Sequence, residues 1–227
     1  QRQMCIRDRA CDVKHVTACF RAGKRLDKGL GVEADLVEAL PLYQRACDLG
    51  HLQGCHILAA RLEKAAGDLK DPARAARLYK KACDSGRIKS CRTLGDMYWD
   101  GGDIERDTAR AMKLYQRACD GGYMRGCHTL AERMIGLHGE YGDRDAAIGY
   151  FKRACEEGYA PSCVKLARAY KYSSEPEQLE STLLYKRACE LGDRSSCVVL
   201  AIRQLAGHHT TQDIAQGEEL LFKTCRR

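Results

Sequence analysis

The sequence predicts an all-α protein, a right-handed α-solenoid superhelix of about six stacked helical hairpins. Three observations predict this fold class. The chain of 227 residues contains 14 cysteines, most of these cysteines form pairs that recur with a period near 36 residues, and apolar residues within each period have helical spacing. One hairpin leaves an apolar face unburied, so neighbouring hairpins must stack.

The cysteines define the repeat. The second cysteine of each pair follows the first by eight residues, and first cysteines recur every 36 residues with one step of 34. The pairs are Cys11 and Cys19, Cys47 and Cys55, Cys83 and Cys91, Cys119 and Cys127, Cys155 and Cys163, and Cys189 and Cys197. An aromatic residue lies four positions before each later first cysteine, at Tyr43, Tyr79, Tyr115, Phe151 and Tyr185. We expect these rings to form the core between repeats.

The sequence pattern of each repeat predicts two helices. Residues 72–84 have helical apolar spacing, with Asp71 as the N-cap and Pro72 as the first helical residue. This helix is called helix B. The stretch that starts at the second cysteine, such as residues 91–99, predicts helix A, in which the small Gly95 admits a close neighbour.

Composition excludes several classes of protein. The net charge of +7 is modest for this length, and the charges alternate in sign along the chain, so no nucleic-acid partner is predicted. No apolar run approaches the roughly 18 residues of a membrane helix. We expect no membrane span and a monomeric protein.

The repeat resembles a known family. A helical pair with the pattern LYxRACDxGxxxxC, followed by LA, resembles the Sel1-like repeat, a relative of the tetratricopeptide repeat. The cysteine pair at i and i+8 is similar to that of the disulfide-bridged Helicobacter cysteine-rich proteins. The resemblance covers residues 10–227, and it implies a disulfide-laddered solenoid.

Three chemistries compete for the paired cysteines: a disulfide, a metal site and reduced packing cysteines. Zinc ligands are typically separated by roughly two to four residues, whereas seven residues intervene here. Each pair spans the end of helix B and the start of the next helix A, where the Cα atoms can approach the distance of a disulfide. We expect six local disulfides and an oxidising compartment, either the periplasm or the extracellular space.

The two ends of the sequence differ from the repeat. Residues 1–9 resemble translated sequencing-adapter sequence and are treated as a non-native segment. The repeat domain is therefore residues 10–227. Cys225 lacks its second cysteine, so we interpret this domain as a fragment open at both ends, in which a signal peptide is not visible.

Two patterns invite a chemical interpretation. Ser162 to Lys165 spells SxxK, the motif of serine penicillin-recognising enzymes, but the SDN-like and KTG-like partners are missing. The sequence contains seven histidines, including the neighbours His208 and His209, but none of them belongs to the metal-binding motif HExxH or the haem-attachment motif CxxCH. No catalytic residue, metal site or cofactor is predicted.

Variable positions on helix A are the candidates for partner binding, because packing fixes the positions that recur. These residues lie one, five and eight positions after the second cysteine. They are His56, Glu63, Arg92, Asp96, Trp99, His128, Glu132, Ile135, Arg168 and Lys171. Mixed charges and the sole tryptophan suit a protein or peptide partner in the concave groove.

The sequence therefore predicts a protein-protein interaction scaffold in an oxidising compartment. The resemblance implies two alternatives. One is a secreted protein that binds or hydrolyses β-lactams, because members of the cysteine-rich group are linked to that activity. The other is a haem- or metal-handling assembly factor, because similar repeats occur in an assembly factor of the mitochondrial intermembrane space.

The spacing makes a testable prediction about cysteine connectivity. Non-reducing peptide mapping should recover six links, each between cysteines eight residues apart, because the two helix ends meet at every turn. A dominant link between different repeats, or free thiols in native material, would contradict it.

Overall fold

The computed structural model describes residue 11 and residues 16–136, 143–170, 175–206 and 217–218. Within these residues the secondary structure comprises eleven α-helices and one short 3₁₀ turn at Gly67–Leu69, with no strand. The helices are α1 Val16–Lys28, α2 Leu36–Asp48, α3 Leu52–Lys64, α4 Pro72–Asp84, α5 Ile88–Asp100, α6 Thr108–Asp120, α7 Met124–Ile135, α8 Arg144–Glu156, α9 Ala160–Ala169, α10 Glu175–Glu190 and α11 Arg194–Ala206. Odd-numbered helices are the predicted helices A and even-numbered helices are the predicted helices B. The adapter-like residues 1–9 lie outside the described residues.

The chain forms two compact units, residues 1–117 and 118–227. In the first unit each helix from α1 to α5 packs on the next, and in the second unit α7 to α11 do the same. Helix α6 spans the boundary. The predicted stacking of helical hairpins is confirmed within each unit.

The periodic aromatics form the core. Tyr43, Tyr79, Tyr115 and Phe151 are the largest fully buried side chains. Of these, Tyr43, Tyr79 and Phe151 pack with the recurring alanines and leucines of both helices. The expectation that these rings form the core between repeats is confirmed, because Tyr43 packs against Gly23 and Tyr115 against Gly95, each on the helix A of the preceding repeat. Tyr185 is buried as well.

The turn from helix B to the next helix A is tight. Helix α4 begins as predicted, with the Asp71 carboxylate accepting a hydrogen bond from the Arg74 backbone N–H at 2.8 Å. It ends with two bonds typical of a helix C-terminus, from the Gly86 N–H to the Cys83 carbonyl and from the Arg87 N–H to the Ala82 carbonyl. Gly86 has φ +96°, a conformation that side chains with a Cβ disfavour. Helix α5 then starts at Ile88, three residues before its predicted start.

Six disulfides close these turns. Each joins the last turn of a helix B, or its counterpart at residue 11, to the first turns of the next helix A. The bridges are Cys11–Cys19, Cys47–Cys55, Cys83–Cys91, Cys119–Cys127, Cys155–Cys163 and Cys189–Cys197. Their Cα atoms are 4.4–4.8 Å apart, within the usual disulfide range. The predicted ladder is therefore present in this structure.

Two glycine-to-alanine substitutions should have opposite effects on stability. A Cβ at Gly95 would lie 2.7 Å from Tyr115 Cε1, and overpacking of this kind costs roughly 1–3 kcal/mol. A Cβ at Gly149, inside α8, would meet no atom within 4 Å, so alanine should gain up to about 1 kcal/mol of helix propensity. Urea unfolding followed by circular dichroism should show Gly95→Ala destabilised and Gly149→Ala stabilised. Equal effects would contradict the close contact of α5 with α6.

Candidate functional site

The predicted partner-binding residues lie on helices A in both units. In the first unit they are His56 and Glu63 on α3, and Arg92, Asp96 and Trp99 on α5. In the second unit they are His128, Glu132 and Ile135 on α7, and Arg168 on α9. Lys171 lies outside the described residues.

The acidic residues of the first unit hold the buried tyrosines. In each case the phenolic O–H of a helix B donates a hydrogen bond to a carboxylate near the end of the preceding helix A. The pairs are Tyr43 with Asp27 at 3.1 Å, Tyr79 with Glu63 at 2.9 Å and Tyr115 with Asp96 at 3.1 Å. Burial, reinforced by the neighbouring carboxylate, raises the pKa of both Tyr43 and Tyr79 far above the ordinary value. These phenols therefore remain protonated donors.

Two ion pairs complete this arrangement. The Arg61 guanidinium lies 2.8 Å from the almost fully buried Asp27 carboxylate, and Arg92 lies 2.7 Å from Asp96 one helical turn further on. Three predicted residues, Glu63, Arg92 and Asp96, thus have partners within the fold. Asp27 was not among the predicted residues, although it follows Cys19 by the same eight positions as Glu63 follows Cys55.

The two histidines of the predicted surface face the next repeat. His56 Nδ1 lies 2.9 Å from Ser90 Oγ, and His128 Nδ1 lies 2.9 Å from Ser162 Oγ. Both histidines are only 8% exposed, and both serines are fully buried. The repeated pair is therefore a polar contact between hairpins, and it leaves little of either imidazole for a partner or a metal ion.

The surroundings of the two histidines differ in charge. Burial, together with the nearby cations Arg87, Lys89 and Arg92, lowers the pKa of His56 to about 4. Burial also lowers the pKa of His128, but the Glu132 carboxylate, 3.5 Å from its Nε2, opposes this shift. In the repeat that contains His56, the position equivalent to Glu132 is Ala60, so His56 has no such carboxylate four residues after it.

The SxxK residues do not form an exposed nucleophile with its base. The Ser162 hydroxyl is buried and bonded to His128, and Lys165 Nζ lies 2.7 Å from Glu132 Oε1. A nucleophilic serine needs both access to substrate and a base within reach. The geometry therefore gives no support to β-lactam chemistry at this tetrad.

Four of the predicted residues offer side chains to solvent: Trp99, Glu132, Ile135 and Arg168. Trp99 is partly exposed, and the Arg106 guanidinium carbon lies 5.8 Å from its ring centroid, within the range of a cation–π contact. Ile135 is 56% exposed, and Arg168 is also exposed. Arg106, in the loop after α5, was missed because its relation to Trp99 depends on how that loop folds back.

The recurring cation two positions before each first cysteine connects one repeat to the preceding one. In the structure it reaches the end of the preceding helix B, where it contacts the acidic residue after the cysteine or a terminal carbonyl. The contacts are Lys81 with Asp48 at 3.7 Å, Arg117 with Asp84 at 2.6 Å, Arg153 with Asp120 at 3.4 Å and Arg187 with the Glu156 carbonyl at 2.5 Å. We call this set the cation ladder.

Among the described residues, no group of three or more histidine, cysteine, aspartate and glutamate side chains could hold a metal ion. His208 and His209 lie outside the described residues. In the same part of the chain, no helix has both the length and the apolar character needed to cross a bilayer.

The repeat period and the helix-pair geometry define a class of α-solenoid proteins. The sequence profile of the Sel1 repeat matches residues 16–51, 53–86, 88–123, 127–159 and 160–193. These five matches cover most of the chain, so the chain belongs to the Sel1 repeat family. The predicted resemblance is confirmed. No curated protein gives a significant match.

Two solved structures have the same fold. The crystal structure of c5321, a protective antigen of uropathogenic Escherichia coli with an SLR fold, matches with a TM-score of 0.83 at 24% identity. This match covers 98% of the chain and 48% of the antigen, so the chain spans about half the length of that protein. A Sel1 repeat protein from Oxalobacter formigenes matches with a TM-score of 0.74 at 20% identity, covering 94% of the chain and 89% of that protein. Cysteine-rich protein B of Helicobacter pylori matches with a TM-score of 0.43 at 24% identity, over 53% of this chain and 92% of that one.

The buried His56 makes a prediction about acid stability. Its folded-state pKa of about 4 lies below the ordinary 6.5, so the unfolded chain takes up the proton first as pH falls. The corresponding stability is fully present above pH 6.5 and is lost as pH falls to about 4, by roughly 3 kcal/mol. Urea unfolding across this pH range should show a smaller loss for His56→Asn, which keeps a polar group beside Ser90 but does not titrate.

The control for this experiment is His128→Asn. Because Glu132 partly compensates the charge on His128, this substitution should change the pH dependence less than His56→Asn. The same pH dependence in the native chain and in His56→Asn would show that His56 is not the responsible group.

Proposed function

We propose that the chain is a non-enzymatic protein-interaction scaffold that works in an oxidising compartment, in the periplasm or outside the cell. Membership of the Sel1 repeat family supports the scaffold role, since stacked repeats present extended surfaces to partners. Six disulfides support the compartment, because such bonds persist where thiols are not kept reduced. The working domain is residues 10–227, with residues 1–9 as a foreign segment.

The observation that carries the proposal is the contrast among side chains of helix α5. Arg92 and Asp96 bond to each other, and Asp96 also accepts from Tyr115. Trp99, one turn later, keeps part of its indole exposed. A large aromatic side chain at the edge of a fixed polar network can anchor a partner at a small entropic cost, and tryptophan is enriched among interface hot spots.

The partner is a protein or peptide with an apolar side chain that covers the Trp99 indole. Glu63 on α3 and Arg92 on α5, both on helices A of the same unit, have fixed orientations because they bond within the fold. Fixed polar groups around an aromatic anchor favour a partner that has complementary polar groups at its rim. In the second unit, Ile135 and Arg168 offer a comparable combination of an apolar side chain and a cation.

The proposal predicts the effect of removing the indole. Peptides selected against the immobilised native chain from a phage-displayed library should bind Trp99→Ala more weakly by about 2 kcal/mol, which is about thirtyfold in Kd. Isothermal titration calorimetry measures this difference. The helical circular dichroism of the variant should match that of the native chain, because the ring is not part of the fully buried core.

Val37→Ala is the matched control, because Val37 is an exposed apolar side chain on α2, a helix B of the same unit. It should leave the affinity of the selected peptides unchanged. If Trp99→Ala lowers the thermal midpoint and weakens no peptide more than Val37→Ala does, Trp99 is a packing residue and the proposed surface is wrong. Turnover of nitrocefin by the purified native chain would overturn the non-enzymatic assignment.

A further inference from the structure

The net positive charge of the chain lies in one of its two units. Residues 10–117 contain 20 lysines and arginines against 15 aspartates and glutamates, a net charge of +5, and the proposed non-native segment 1–9 adds +2. Residues 118–227 contain 15 of each and are neutral. Charge asymmetry between two parts of a chain points to a charged partner for one of them.

Within the first unit, the helices richest in cations are α1, with four lysines and arginines and one aspartate, and the two helices B α4 and α6. Of these, α4 and α6 are joined by the ion pair of Asp84 with Arg117. Helix α4 and the part of α6 up to residue 117 carry seven lysines and arginines and one acidic residue, Asp84. Because apolar residues separate these cations in the sequence, they do not form a run there. The helical period nevertheless brings them together on one side of each helix.

The cations occupy the solvent side of both helices. On α4, Ala75, Leu78, Tyr79, Ala82 and Cys83 are buried. On α6, Ala111, Met112 and Tyr115 are buried. The exposed cations are Arg77, Lys80 and Lys81 on α4, and Arg110, Lys113 and Arg117 on α6. We call these six residues the basic face.

The basic face is continuous and only partly neutralised. Asp84 lies 2.6 Å from both Lys80 and Arg117, so one carboxylate joins the two helices. Lys81 lies 3.7 Å from Asp48, and Arg110 lies 3.0 Å from Asp107. Within the described part of the chain, Arg77 and Lys113 have no carboxylate within ion-pair distance. They occupy equivalent positions in consecutive repeats, six residues before Cys83 and Cys119.

We infer that the basic face binds an acidic polypeptide segment, with Arg77 and Lys113 as its central contacts. Helices of 13 residues extend for about 20 Å, enough for several carboxylates of an extended or helical segment. A membrane surface is disfavoured, because neither helix exposes a large apolar side chain that could enter the lipid. A single-stranded nucleic acid is disfavoured, because the tyrosines of these helices are buried and cannot stack on bases.

This surface is distinct from the one around Trp99. The basic face lies on helices B and the Trp99 surface on a helix A, and the two have no residue in common. The inference therefore goes beyond the proposed function, and either can fail without the other.

The experiment compares two variants with the same change in charge. Arg77→Glu with Lys113→Glu reverses the centre of the basic face. Lys64→Glu with Arg194→Glu reverses two exposed cations on other helices. The probe is a fluorescein-labelled oligoglutamate, and binding to the native chain is followed by fluorescence anisotropy as the concentration of NaCl rises.

The native chain should bind oligoglutamate at low salt and lose affinity as salt screens the charges. The basic-face variant should bind about tenfold more weakly, while the control variant should remain near the native affinity. Equal weakening of both variants, or no binding of oligoglutamate by the native chain at low salt, would overturn the inference. Binding of phosphatidylglycerol vesicles or duplex DNA without binding of oligoglutamate would also overturn it, in favour of a lipid or nucleic-acid surface.

Discussion

The closed turn between one helix B and the next helix A is the constraint on which the other features depend. The two cysteines are always eight residues apart, and their Cα atoms are held 4.4–4.8 Å apart. In the chain-entropy account, each bridge over such a short loop stabilises the fold by about 2.5 kcal/mol. With this joint fixed, the tyrosine one turn earlier and the leucine one turn later are directed into the same core. The polar contacts between repeats then have a constant register.

Much of this architecture could be predicted because its causes are local. Asp71 and Pro72 determine where α4 starts. The Asp71 carboxylate accepts a hydrogen bond from a free backbone N–H of the first turn, and Pro72 has no backbone N–H that would need a partner. The close contact at Gly95 follows from its lack of a side chain beside Tyr115. In both cases the residue type has a single structural role at its position, so the sequence is sufficient to predict the helix start and the close helix contact.

The parts of the candidate surface that escaped prediction depend on contacts between repeats. His56 and His128 occupy variable positions and looked like surface residues, but each meets a serine 34 residues later in the chain. The lysines and arginines of α4 and α6 are interspersed with apolar residues in the sequence. They lie on one side of each helix only because the apolar side of the helix packs against the core. The spacing of residues within one repeat reveals neither the histidine–serine contacts nor the clustering of the cations. Comparison of equivalent positions in successive repeats could have predicted the histidine–serine contacts, since a serine follows both histidines at the same distance.

The cation ladder has a consequence for how such a protein can change length during evolution. Each rung joins a cation in one repeat to the end of the preceding repeat, so every repeat has a donor side and an acceptor side. When a gene gains or loses one complete repeat, the cation of each repeat still meets the helix end of the repeat before it. All contacts of the cation ladder are therefore preserved. An insertion of any other length inside helix B would move the cation off its acceptor and the cysteine off its partner. Selection therefore favours growth and shortening by whole repeats, with other changes of length confined to the loops between helix A and helix B.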